Sequence, residues 1–173
     1  MELIFVFTLD DIRKEYDRLD KLTGVDTKSI ELAVSTRSTN RYGSCKMINH
    51  KPVKIIIADF VLKDNNENIF WDTIRHEYVH AMVKLRNPKE NHGHDWLFKK
   101  GCIEVGCDPS RLATETSEIA LQRREEKLKY IVYCPKCGDE WKYVKAGKVV
   151  QGLKKKRHYK CPNCREDVVL KEL

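Results

Sequence analysis

His76-Glu77-Tyr78-Val79-His80 sets two imidazoles four residues apart with a carboxylate beside the first. On a helix, residues four apart project from one face, so His76 and His80 can offer nitrogen ligands to one zinc ion while Glu77 stands next to it. Zinc held by three protein ligands keeps a place for water, lowers its pKa to roughly 7, and leaves a nearby carboxylate to take the proton during attack on a peptide carbonyl. Glu77 is then the general base, and later returns the proton to the leaving amine. A third ligand must come from elsewhere. His92 and His94, in Asn91-His92-Gly93-His94-Asp95-Trp96, are candidates, as is the downstream carboxylate of Glu104. Two histidines two residues apart point differently, so one is expected to bind and the other to support it or lie at the surface.

A second constellation is Cys134-Pro135-Lys136-Cys137 with Cys161-Pro162-Asn163-Cys164. A two-residue spacing lets a tight knuckle turn both thiolates onto one tetrahedral zinc, and four thiolates leave no open position. Cys134, Cys137, Cys161 and Cys164 therefore read as a structural site in a zinc ribbon whose knuckles are separated by a hairpin. The remaining Cys45, Cys102 and Cys107 make an odd count, unlike a disulfide framework. They read as small buried hydrophobes in a reducing cytoplasm.

The elements that must hold these groups are legible in the apolar spacing. Leu9, Ile12, Tyr16, Leu19 and Leu22 follow Thr8 at helical intervals and predict an amphipathic helix over 9–22. Residues 30–36 and 53–59 are β-branched runs bounded by polar segments and predict strands, and the link from Ser38 to Pro52 has room for another. An apolar face from Glu67 to about Arg86, stopped by Asn87-Pro88, puts the His-Glu motif in mid-helix. Further helices are predicted over His94 to Val105 and over 112–128, with short strands around the cysteines beyond Tyr130. The organisation is α+β: a metal-site domain over 1–129 and a small β ribbon over 130–173.

The net charge is +7, and residues 130–173 hold 11 Lys/Arg against 5 Asp/Glu, so nearly all of the excess sits in the ribbon. Lys154, Lys155, Lys156 and Arg157 lie just ahead of its second knuckle, with Trp141, Tyr143 and Tyr159 nearby. Cations for phosphates beside aromatic faces for unstacked bases suit single-stranded nucleic acid. The apolar stretches Leu3–Phe7 and Ile55–Ala58 are far too short to span a bilayer, and Glu2 is wrong for a secretory leader, so no membrane partner is expected.

Three stretches together resemble the SprT-like, Spartan-related family of zinc metalloproteases, which includes a protease acting on DNA–protein crosslinks. Ile74 to Ala81 is similar to that family's metal helix. His92-Gly93-His94-Asp95-Trp96 looks like its H-G-x-x-[FW] element, and Arg41-Tyr42-Gly43-Ser44-Cys45 like its R-W-G-S-C segment with Tyr in place of Trp. The resemblance implies a zincin-like fold with His92 as the third ligand and His94 at a variable position. It also implies one catalytic and one structural zinc, a protein substrate associated with DNA, and DNA contact through the ribbon. Tyr42 and Trp96 are expected to pack in the core without touching substrate. A monomer in the cytoplasm, at the nucleoid or in a nucleus when DNA-bound, follows from this reading. Two other functions stand beside it: a non-catalytic nucleic-acid adaptor with a closed metal shell, and a peptidase dedicated to one regulatory protein.

Overall fold

Thr8 opens the first helix with a reciprocal cap: its backbone N–H donates to Asp11 Oδ2 at 2.9 Å, and its hydroxyl accepts from the Asp11 N–H. This helix, α1 (Leu9–Thr23), buries Ile12, Tyr16 and Leu19 along one face and stops at Gly24, whose φ of 72° is the left-handed cap that glycine adopts freely. The computed structural model describes residues 6–89, 92–110 and 116–173. Part of the Leu3–Phe7 stretch, Asn91, and the start of the helix expected over 112–128 lie outside them.

A three-stranded sheet follows, with β1 (Glu31–Ser35), β2 (Gly43–Ile48) and β3 (Lys51–Ala58) in the order β1-β3-β2. β1 runs parallel to β3, and β2 is antiparallel to it on the edge. The link after Ser38 thus does carry a strand. Its tight connection to β3 places Asn49 and His50 at φ 47° and 62°, the primed-turn geometry that matches the twist of a two-residue hairpin. On β3, Ile55 and Ile57 are buried in the core.

The short α2 (Asp59–Lys63), where the strand pattern was expected to run on to Asp59, leads into α3 (Glu67–Arg86). α3 is capped by Asn66 and closed at Asn87, and it is buried nearly all round, from Phe70 and Ile74 through Tyr78 and Val79 to Met82 and Val83. Such a helix must satisfy its polar groups internally. Tyr16 donates to the Ile74 carbonyl at 2.9 Å, and the Tyr78 hydroxyl donates to Asp20 Oδ1 at 2.9 Å and lies 2.7 Å from Thr23 Oγ1. Arg75 pairs with the buried Glu15 at 2.8 Å. α4 (Trp96–Val105) then packs against α3 so closely that a Cβ on Gly101 would sit 2.7 Å from Met82 Cε and 2.8 Å from Val79 Cγ1. Trp96, expected in the core, is instead 69 % exposed, because Phe98, Cys102 and Val105 take the buried face of this helix. Cys102 is fully buried, while Cys45 and Cys107 are half-buried against the core.

The chain divides into two compact units, Met1–Leu121 and Gln122–Leu173, within α5 (Glu118–Glu126). In the second, β4 (Tyr130–Tyr133), β5 (Glu140–Tyr143) and β6 (Val169–Glu172) form an antiparallel sheet in the order β5-β4-β6. The segment between the cysteine pairs is not a hairpin: it holds β5 and the short helix α6 (Lys148–Lys154). Gly152 interrupts the pattern of α6, and it is there because a Cβ would collide with the Tyr159 ring and hydroxyl. The architecture is α+β, and no helix among the described residues is long and apolar enough to cross a membrane.

Candidate metal centre

α3 turns His76 and His80 to one side, their ring centroids 5.1 Å apart. The third imidazole beside them is His94, with centroids 5.1 Å from His76 and 4.9 Å from His80. One ring nitrogen from each of the three lies within 4.8 Å of the others, and His76 Nε2 is 3.0 Å from His94 Nε2. Phe98, fully buried, lies against all three rings at 4.4 to 4.8 Å and gives them an apolar base.

The structure thus places His94 rather than His92 with the pair. His92 turns away: its Nδ1 lies 2.9 Å from Asp95 Oδ2 and its Nε2 3.3 Å from the Asn87 carbonyl. A ring nitrogen that donates has no lone pair left for a cation. His92 instead fastens the cap of α3 to that of α4, since Asp95 is also the N-cap whose Oδ1 accepts from the Phe98 N–H at 3.0 Å. Glu104 is likewise elsewhere, in a two-point ion pair with Arg86 at 2.8 and 2.9 Å. The signal for His94 was present in the sequence: Asp95 is a good helix cap, which fixes His94 in the turn just before α4, and Phe98 lies four residues on.

Electrostatics suit these rings for metal binding. Burial, reinforced by His76 and His94, pushes His80 down to about 3, and burial with the His94 ring lowers His76 as well. Both stay neutral at ordinary pH, as nitrogen ligands must. Asp72 and the Asp108 backbone pull His76 the other way, and Asp72 Oδ1 accepts from the Asp108 N–H at 2.7 Å. This support from the turn after α4 had no sequence signal.

Glu77 is buried, and its Oε2 has no hydrogen-bond partner. Burial drives its carboxyl up to about 8, held back by the positive charge of Arg41 and by a hydrogen bond from the Cys45 backbone. Gly43 gives it room: a Cβ there would lie 2.6 Å from Glu77 Cγ and 2.8 Å from Oε1. Tyr42 supports that strand from the core, its ring edge-on to Phe60 at 5.0 Å and its hydroxyl accepting from the Ser117 N–H at 2.8 Å. An orphaned carboxylate oxygen and three convergent imidazoles are a donor set that zinc fits.

In the second unit, the Sγ atoms of Cys134, Cys137, Cys161 and Cys164 lie within 4.8 Å of one another. The two knuckles repeat one backbone plan. Cys134 N–H donates to Asp139 O and accepts at its carbonyl from Gly138; Cys161 does the same with Glu166 and Arg165. Gly138 and Arg165 hold the left-handed turn at φ 79° and 63°. Asn163 Nδ2 donates to Asp139 Oδ2 at 2.7 Å and ties the knuckles together. The cluster fits a four-thiolate zinc ribbon.

Of the basic and aromatic residues read as nucleic-acid contacts, Lys155, Lys156 and Arg157 are exposed. Lys154 pairs with Glu172 at 2.9 Å and sits over the Tyr130 ring at 4.6 Å. Trp141 and Tyr159 pack against the ribbon's small core.

The model of the SprT-like family matches residues 9–118. Among curated proteins, none matches the chain.

Proposed function

The chain belongs to the SprT-like family, in general a family of metalloproteases, and on that premise we propose that it is a zinc-dependent endopeptidase that cleaves proteins associated with DNA. The observation that carries the reading is the meeting of the imidazoles of His76 and His80, on α3, with that of His94, beside Glu77, whose buried carboxylate keeps one oxygen unpartnered. A divalent zinc ion in that donor set supplies a Lewis acid for a carbonyl and acidifies water.

The chain's own residues do the rest. Glu77 takes a proton from the attacking water and passes it to the amine nitrogen as the peptide bond breaks. Its raised basicity, from burial, favours the first transfer, and the positive charge of Arg41 nearby limits that rise. Gly43 lets the β2 backbone approach the carboxylate closely enough to exclude bulk water from one side. Phe98 prevents the three rings from relaxing inward. In the ribbon, the exposed Lys155, Lys156 and Arg157 and the surplus of cations support a role in holding single-stranded DNA, while Trp141 and Tyr159 serve its core.

The test is cleavage of a DNA-bound protein by the zinc-loaded full chain, with and without single-stranded DNA, comparing wild type with Glu77→Gln. Cleavage by wild type alone, stimulated by DNA, is the expected result. Equal cleavage by Glu77→Gln would sink the mechanism, and cleavage indifferent to DNA would sink the DNA-associated substrate.

A further inference from the structure

Where β1 and β3 end and β2 begins, the sheet carries an open cavity of about 380 Å³. It is hollow because the residues there are small: Ser35, Gly43 and Ser44 line it with Ile56, whereas Glu31, Lys46 and Lys54 occupy the far end of the same strands. Arg37, Ser38 and Arg41, from the link between β1 and β2, line it as well.

Both arginines are exposed, and neither guanidinium has a hydrogen-bond or ion-pair partner among the described residues. The other described arginines of the same unit are used structurally. Arg13 caps carbonyls of Thr27 and Ile30, Arg18 and Arg75 hold Glu15, and Arg86 holds Glu104. The Arg41 backbone is held by Ser38, since its N–H donates to Ser38 Oγ and its carbonyl accepts from the same hydroxyl. Two exposed guanidinium groups beside the serines that line the hollow describe a receptor for a carboxylate or a phosphate.

The cavity's position decides between these. Gly43 belongs both to its wall and to the contact with Glu77, so the hollow begins about one backbone's thickness from the general base. Ser44 and Ile56 line it from the sheet face opposite Glu77, so a polypeptide laid along the β2 edge past Glu77 can place a side chain in it. The surroundings are not a polyanion track either: residues 1–129 hold 22 Lys/Arg against 21 Asp/Glu, and the cationic excess lies in the ribbon.

Resting on the peptidase reading above, we infer that this cavity is a subsite for an acidic side chain of the substrate polypeptide, next to the scissile bond and held by Arg37 and Arg41. The experiment uses zinc-loaded, full-length Glu77→Gln protein and two short fluorescent peptides, identical except that several Glu in one are Gln in the other. At low salt the Glu peptide binds about tenfold more tightly. The Arg37→Gln/Arg41→Gln version of the same protein loses that preference while keeping its zinc content and thermal midpoint. Should the double variant not fold, Arg37→Gln alone cuts the preference about threefold. Equal affinity for the two peptides, or a preference that survives both substitutions, overturns the inference. So does a single-stranded oligonucleotide whose affinity drops by the same factor in the double variant, which would assign the hollow to phosphate. Wild-type cleavage of the same peptides separates the two readings. Equal binding with cleavage of both overturns the subsite and leaves the peptidase; selective binding without cleavage overturns the peptidase and upholds the acidic-peptide site.

Discussion

Gly43 on the edge strand lies so close to Glu77 on the metal helix that a single added carbon would stand 2.6 Å from the carboxylate's own Cγ. The glycine of Arg41-Tyr42-Gly43-Ser44-Cys45 is thus needed for space, not for a left-handed turn. Gly43→Ala must push Glu77 off its position or push β2 outward. A displacement of about 1 Å in a catalytic group costs on the order of a hundredfold in rate. We expect kcat/KM to fall about that much while both zinc ions stay bound, since no ligand is touched. Peptide cleavage kinetics beside metal analysis checks both halves, and an undiminished rate would mean that Glu77 is not held where the reaction needs it.

The structure sets His94 beside His76 and His80 where the family resemblance implied His92, and metal content distinguishes the two. His94→Ala is expected to lower bound zinc from two ions per chain to about one. His92→Ala should retain two, but lose the link from Asn87 to Asp95 and with it about 1–3 kcal/mol of stability, the usual cost of breaking a buried polar connection. Elemental analysis after dialysis, with denaturant unfolding of each variant, reads the two effects separately.

Gly101 sets the distance between α3 and α4. Because a Cβ would meet Met82 Cε at 2.7 Å and Val79 Cγ1 at 2.8 Å, Gly101→Ala overfills the contact and should cost about 1–3 kcal/mol, moderated by the flexibility of Met82. His94 precedes α4, so the same change should weaken zinc binding without altering any ligand. A variant that unfolds earlier yet binds zinc as tightly as wild type would separate helix packing from the site.

Glu15 makes acid stability predictable in sign. Burial alone would raise its carboxyl, but hydrogen bonds from Arg18 and Arg75 outweigh it and hold the group below its ordinary 4.5. A carboxylate depressed in the folded state binds protons more readily once unfolded, so its contribution is present above the unfolded pKa and is lost as pH falls through the folded one. Stability should therefore drop as the pH falls below about 4.5, and Glu15→Gln should flatten that slope while lowering stability at neutral pH. Urea unfolding of both proteins across that range decides it. Arg75 precedes His76, so this pair also steadies the metal helix.

What the sequence disclosed and what it hid follow from the range of the forces. Helices α1, α3 and α4 were legible because a cap, a stop and an apolar period lie within each segment. His76, Glu77 and His80 came with α3, for their spacing is itself helical. The four cysteines were equally plain, as each knuckle is a local turn. The third imidazole was only half legible: the cap at Asp95 and Phe98 four residues on marked His94, but Asp95 also holds His92, and which ring turns inward depends on packing against α3. The order β1-β3-β2 was hidden too, since a parallel pairing of Glu31–Ser35 with residues of β3 leaves no trace in either strand's own pattern. α6 and the exposure of Trp96 depend on partners far along the chain, Tyr159 for the former and the α3 contact face for the latter.

The two units should respond differently to loss of metal. Among the described residues the first has a core cluster of 22 buried residues, from Ile12 to Ala120, and two of the three imidazoles of its candidate centre lie on one continuous helix. The ribbon's cluster has five, Val132, Cys134, Val150, Cys161 and Val168, and two of these are themselves candidate ligands. A unit of that size cannot offset its chain entropy with so little apolar burial, so metal binding there is folding free energy. Chelation should thus melt residues 130–173 while leaving 9–118 folded. Hydrogen exchange reads this directly: after treatment with a strong chelator, amides of β4, β5 and β6 should exchange at rates near those of an unfolded chain, while those of α1 and α3 stay protected. Trp141, packed in the ribbon, should redden and weaken in fluorescence over the same titration. Protection that persists in the ribbon strands without metal would show that its fold does not depend on the four thiolates.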